Sequence, residues 1–315
     1  MRRRYALGSF AALLAYAAIT QLASTSTTTS YQVVHGWPAL PEGFALGQVT
    51  GVQVDSRNHV FVFHRGDRPV LSFDGATGKL LSSWGDGMFG SAHGLTVDPQ
   101  DNVWVTDVKQ HQVFKFSNSG ELLLTLGAKN VPGLDSTHFN KPTDVAVSRG
   151  GDVYISDGYG NSRVVKLTSN GKYVSEWGVK GGNPGEFDTP HGITVDSQGR
   201  VYVADRGNSR IQVFDPDGKF LHQWKSAELG RPWGVSFAAD GFLYVADGGD
   251  LHPKPPDRNH VLRLDLNGKI LDKWGSFGSY DGQFYWAHDV AVSRTGEVYV
   301  TDVNVGMRVQ KFVRR

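Results

Sequence analysis

Apolar and polar residues alternate through short runs along most of the chain, as in Val103-Trp104-Val105-Thr106, Val153-Tyr154-Ile155-Ser156 and Val201-Tyr202-Val203-Ala204. A period of two marks half-buried β-strands. Clusters of Gly, Asn, Asp and Ser separate the runs where turns are required. No segment after residue 30 carries a persuasive helical period. The runs recur as a unit: a G-φ-x-V-D segment, a polar turn, a V-Y-V-x-D strand, a loop often carrying N-x-R, a V-x-K-F strand, a Gly turn, and a last strand often ending in Trp-Gly. Six copies fit, with equivalent positions at Gly51, Gly94, Asp144, Gly192, Gly234 and Asp289. Four short antiparallel strands recurring every ~40 to 50 residues predict propeller blades, so the expected fold is an all-β, six-bladed β-propeller.

The pattern also predicts how the ring closes. The sixth copy runs out at Phe312 after three strands, while an unassigned strand-like stretch, Tyr31-Gln32-Val33-Val34-His35-Gly36-Trp37, precedes the first. Pairing that stretch with the last blade removes an exposed edge. An open solenoid would need polar terminal caps that the sequence lacks. The propeller is therefore expected to fill residues 31–315.

Composition narrows the function classes. The 39 Gly and 8 Trp suit turn-rich blades with aromatic packing between them, and a net charge of +1 gives no field for nucleic acid or an anionic membrane. Absence of cysteine excludes disulfides, thiolate metal sites and a lipid-modified cysteine. Met1-Arg2-Arg3-Arg4, followed by a mostly apolar stretch from Ala6 to Ala23, predicts a bacterial export signal over residues 1–30 and a periplasmic or secreted, monomeric protein. With about 18 apolar residues, an uncleaved membrane anchor is the alternative. Ser24 to Ser30 is a Ser/Thr-rich tether.

The candidate chemistry lies in the repeat register. His93, His191 and His288 begin the first strand of alternate copies, 98 and 97 residues apart, while Thr50, Thr143 and Trp233 stand at that position in the other three. In a closed six-fold ring, every second copy is related by a third of a turn, so the three imidazoles converge on the axis. A single histidine there is ordinarily structural. Three at alternate positions, with a fourth direction open, match the ligand set of a catalytic zinc ion. Residues just past the second strand lie on the same face. There stand Arg65, Tyr159 and Arg206, where the other copies have Val108, Gly248 and Val303. Two guanidiniums and a phenol over a Lewis acid point to a carboxylate-bearing substrate and proton transfer by Tyr159. Arg163 and Arg210 are read as inter-blade struts, the recurrent Asp98, Asp107, Asp157, Asp196, Asp205 and Asp302 as turn caps, and His252 and His260, in the Pro-rich insertion of the fifth copy, as solvated.

The strings Phe63-His64-Arg65-Gly66-Asp67, His93-Gly94-Leu95, Lys141-Pro142-Thr143-Asp144, Ser156-Asp157-Gly158-Tyr159, Pro190-His191 and Val203-Ala204-Asp205-Arg206 resemble the lyase core of peptidylglycine α-amidating enzymes. That core is peptidyl-α-hydroxyglycine α-amidating lyase (peptidylamidoglycolate lyase), an NHL-repeat-like six-bladed propeller. The resemblance covers nearly everything from Val33 to Phe312. It implies zinc on His93, His191 and His288, and catalytic roles for Tyr159, Arg65 and Arg206. It also implies a structural calcium ion on the Asp289 carboxylate and the carbonyls of Val52 and Leu95, oxygen ligands that suit a hard cation. The implied reaction splits a small-molecule or peptide substrate ending in α-hydroxyglycine into a primary amide and glyoxylate. Tyr159 acts as base with Arg65 beside it and Arg206 grips the carboxylate, the two arginine roles being exchangeable. Trp286 stands where the family has methionine, the family's disulfides cannot form, and the repeats fill the sequence without a copper monooxygenase domain. Two other classes share the fold, a calcium-dependent lactonase, whose site would be lined by Asp, Glu and Asn, and a non-catalytic scaffold that binds a partner across one face.

Overall fold

In a computed structural model of the chain, residues 31–249 and 258–315 are described. The expected export signal and tether, and His252, lie outside them. The described residues form six four-stranded antiparallel sheets, five of them running in chain order from an inner to an outer strand. The first five blades span Val49–Trp84, Ala92–Leu126, Asp144–Trp177, Pro190–Trp224 and Pro232–Trp274. The sixth is made of Ala287–Val292, Val298–Asp302 and Arg308–Arg314, with Tyr31–Val33 as its outer strand. Tyr31 pairs with Arg314, and Val33 with Phe312, so the N-terminal strand closes the ring as its pattern predicts.

Sequence pattern and burial agree strand by strand. Five of the six second strands, among them Val103–Asp107, Val201–Asp205 and Val298–Asp302, are buried at every residue because a neighbouring blade covers each face. The outer strands, such as Tyr173–Trp177 and Ile270–Trp274, alternate because one face meets solvent. The aromatic residue of V-Y-V is the wedge between blades. Trp104 packs on Val145, Ile155 and Val165 of the next blade, Tyr202 on Val235 and Val245, and Tyr299 on Val52 and Val62 of the first blade. Truncating such a wedge to alanine costs about 3 to 5 kcal/mol. At the closure, Tyr31 stacks on Trp274 with ring centroids 3.9 Å apart.

The inner strands crowd the axis. A Cβ on Gly94 would lie 2.6 Å from the Thr143 carbonyl oxygen, and one on Gly192 would lie 2.7 Å from that of Trp233. These contacts explain the repeated glycine and bring the residues just before it, His93 and His191, close to the next blade. One minor expectation fails. His260 is half-buried, and its Nδ1 lies 2.9 Å from the Gly275 carbonyl, because it opens the third strand of the fifth blade rather than lying in the insertion.

Candidate metal centre and active site

The recurrent aspartates at the ends of the second strands position the histidines. Asp107 accepts the backbone N–H groups of Gly90 and Ser91, Asp205 that of Asp188, and Asp302 those of Tyr285 and Trp286. Each carboxylate thus fixes the segment that leads into a histidine. Asp98 and Asp196 differ, since they cap turns at the opposite end of the blades. Arg163 and Arg210 are struts within this scheme. Arg210 joins Asp205 to the carbonyls of Gly182, Asn183 and Glu186, and Arg163 joins Asp157 to those of Asp135 and His138.

The three histidines meet at the axis, buried, with ring centroids 4.7 to 4.8 Å apart. One ligand nitrogen from each lies within 4.8 Å of the other two. Each Nδ1 bonds to a carbonyl of the next blade: His93 to Thr143 at 2.6 Å, His191 to Trp233 at 2.8 Å and His288 to Thr50 at 2.6 Å. A carbonyl can only accept, so each Nδ1 carries the proton and each Nε2 offers a lone pair to the axis. Burial, followed by the neighbouring charges of His288 and Arg65, holds His93 well below the ordinary imidazole pKa. Burial and then Arg206 do the same for His191, and burial and then Arg65 push His288 down to about 3. Three neutral imidazoles with outward Nδ1–H bonds are the state a metal ion requires.

Above them, the Tyr159 hydroxyl lies 3.0 Å from Nε2 of both His93 and His191. Its one proton can serve only one of these acceptors, so the cluster has more lone pairs than protons and fits a cation. Arg206 donates from Nη1 to the same hydroxyl at 3.2 Å, and its guanidinium lies 4.5 Å from the Trp233 ring centroid. Arg65 is nearby but more exposed, donating to the Ala92 carbonyl and to Gln48. Of the two arginines, Arg206 is therefore the one seated on the phenol, the exchange of roles left open in the sequence. Tyr159 reaches the axis because Gly158 lets its loop pass under the next blade: a Cβ there would lie 1.7 Å from the Pro190 oxygen.

The NHL repeat family matches residues 89–116, 139–167, 187–214 and 284–312, in the second, third, fourth and sixth blades. Two lyases of Drosophila melanogaster named peptidyl-α-hydroxyglycine α-amidating lyase are similar to this chain. Lyase 1 is 35% identical over 94% of this chain and 62% of its own length. Lyase 2 is 32% identical over 89% of this chain and 75% of its own length. The chain belongs to this lyase family. It spans 34% of the length of the peptidyl-glycine α-amidating monooxygenase B of Xenopus laevis, to which it is 37% identical over 85% of its own length. Among solved structures, a gluconolactonase from Xanthomonas campestris superimposes with a TM-score of 0.62 at 16% identity, over 90% of this chain and 95% of that one. That likeness is one of fold.

Within this member of the amidating lyase family, a second polar constellation lies on the axis below the histidines. Asp289 accepts N–H bonds from Val52 and Val290. Asp144, on the opposite blade, accepts from Val145 and Ile193. Both carboxylates, with Val52 and Leu95, line a cavity of about 160 Å³. Burial raises both pKa values, and Asp289 raises that of Asp144 further. No cationic group is among the causes, so two carboxylates share one cavity without a counter-charge beside them, which fits a hard divalent cation. Asp144 is marked in the sequence as the other acidic residue in a register that is otherwise glycine, three copies from Asp289. Trp233 was missed, since its two uses, a carbonyl on His191 and a ring on Arg206, leave no mark beyond the break in the Thr50 and Thr143 pattern.

Proposed function

We propose that the protein is a zinc-dependent lyase that cleaves a peptidyl- or N-acyl-α-hydroxyglycine to a primary amide and glyoxylate. The observation that carries this reading is the single phenol of Tyr159 between two neutral imidazoles and the Arg206 guanidinium. His93, His191 and His288 would hold the zinc ion, which would supply a Lewis acid able to acidify an oxygen acid beside it. The oxygen of Tyr159 is placed to take the substrate hydroxyl proton, and the Arg206 cation stabilises the negative charge that precedes this transfer. Arg65, on the same face, offers its fork to the substrate carboxylate. As the hydroxyl oxygen closes to the aldehyde of glyoxylate, the C–N bond breaks, its electron pair goes to the amide nitrogen, and that nitrogen takes up a proton. A calcium ion on Asp289, with the carbonyls of Val52 and Leu95 and the Asp144 carboxylate opposite, would brace the inner strands that carry the histidines.

The test is incubation of the zinc-loaded protein with α-hydroxyhippurate, followed by a glyoxylate assay. Glyoxylate release supports the lyase. None from several N-acyl-α-hydroxyglycines would leave the fold as a binding scaffold. The protein is further proposed to act as an exported monomer, directed by residues 1 to about 30. Recovery of the full-length chain from the soluble cytoplasm would overturn the export reading.

A further inference from the structure

Among the described residues, two of the grooves on this face start at the phenol and at Arg65, and their walls differ. One, of about 360 Å³, starts at Arg65 between the first and second blades and carries the carboxylates of Asp67 and Asp86. The other, of about 460 Å³, starts at Tyr159 between the third and fourth blades and is bordered by Leu134, Val179 and Thr189. Both volumes suit a small organic group. In the second groove the charges cancel locally: Arg163 pairs with Asp157 and Glu176, and Lys180 with Asp188. Leu134 and Val179 are 65% and 64% exposed, among the most exposed aliphatic side chains of the described residues. Two aliphatic side chains left in water on one electrically quiet groove that ends at the reacting phenol call for an apolar occupant.

We propose that this groove takes the acyl portion of the substrate, the group on the amide side of the scissile C–N bond, and that Leu134 and Val179 select an apolar group there. The inference rests on the lyase reading for the identity of the ligand. With the substrate carboxylate on the arginines, the remainder of the molecule extends away from the centre, and the groove that starts at Tyr159 offers it an apolar wall. An apolar acyl chain gains by covering Leu134 and Val179, whereas the carboxylates of Asp67 and Asp86 would reward a cationic one.

The experiment compares N-phenylacetyl-, N-acetyl- and N-(6-aminohexanoyl)-α-hydroxyglycine as substrates of the wild type and of the double variant Leu134→Ser/Val179→Ser. Calorimetric binding of the corresponding N-acylglycines, which lack the hydroxyl and cannot be cleaved, is measured in parallel. Both positions are exposed, so the variant should keep its melting temperature. The wild type should favour phenylacetyl over acetyl by about tenfold in kcat/KM and in Kd, and the variant should reduce that ratio to about twofold. An unchanged ratio in the variant, no preference in the wild type, or a preference for the aminohexanoyl group would overturn the proposal. Glyoxylate release without acyl preference would sink the groove and keep the lyase. Apolar preference in binding, lost in the variant, without glyoxylate from any substrate would sink the lyase and keep the groove.

Discussion

His93 Nδ1 donates to the Thr143 carbonyl at 2.6 Å, and the two residues occupy the same register in consecutive repeats. The relationship is repeated for His191 with Trp233 and His288 with Thr50. Three blades therefore supply imidazoles, and the three between them supply the acceptors that fix ring orientation and tautomer. A six-fold frame has become three-fold at its centre without an added element. The backbone supplies these acceptors, so substitution at Thr50 or Thr143 can alter packing while leaving them in place.

About one zinc per chain is expected by elemental analysis of the purified protein. His191→Ala removes one ligand and should lose that zinc while keeping the β-rich circular dichroism and a cooperative melt, because the blades carry their own apolar clusters. Full zinc occupancy in the variant would rule out the three-histidine assignment.

Tyr159→Phe retains the ring and deletes the oxygen shared by His93, His191 and Arg206. Turnover of α-hydroxyhippurate should fall by about a hundredfold or more, with KM little changed. Arg65→Ala should act chiefly on KM, if its contact with the carboxylate is the same in ground and transition states. Wild-type turnover in Tyr159→Phe would remove the phenol as base while leaving the lyase in place.

Much of this was legible because a propeller repeats. Period-two alternation predicted the strands, the spare strand before Gly51 and the missing one after Phe312 predicted the closure, and symmetry alone brought His93, His191 and His288 together. What was hidden depends on contacts between blades that spacing does not encode. The Trp233 ring on Arg206, the seating of Arg206 rather than Arg65 on the phenol, and the opposed carboxylates of Asp144 and Asp289 all arise where different repeats meet. The last of these is half legible: Asp144 and Asp289 stand three copies apart in one register and so on opposite blades, but their spacing does not encode the cavity they share.

Arg210 is buried with Asp205 and holds three carbonyls of the loop that leads to His191. Arg210→Ala would strand a buried carboxylate and release that loop, at a cost of about 3 to 5 kcal/mol in urea unfolding. Arg210→Lys should recover little, because one ammonium cannot reproduce the fork. A loss below about 1 kcal/mol in the alanine variant would mean that the strut is dispensable.

The paired carboxylates make the response to calcium depend on pH. Burial raises the folded-state pKa of Asp144 and Asp289 above their unfolded values. Without a cation, the pair's favourable contribution is therefore present at low pH and is lost as pH rises through the folded values. A divalent cation binds the ionised form, so it restores stability where the contribution has been lost, and protons displace it where it has not. At a concentration of 100 times Kd the gain is about 2.7 kcal/mol. For a chain of this size that is several degrees in Tm. The increase in Tm on adding calcium to chelator-treated protein should be full at pH 8 and small at pH 5, and Asp289→Asn should abolish it by removing one of the two charges. An equal increase at both pH values, or one that survives in Asp289→Asn, would place calcium somewhere other than between these carboxylates.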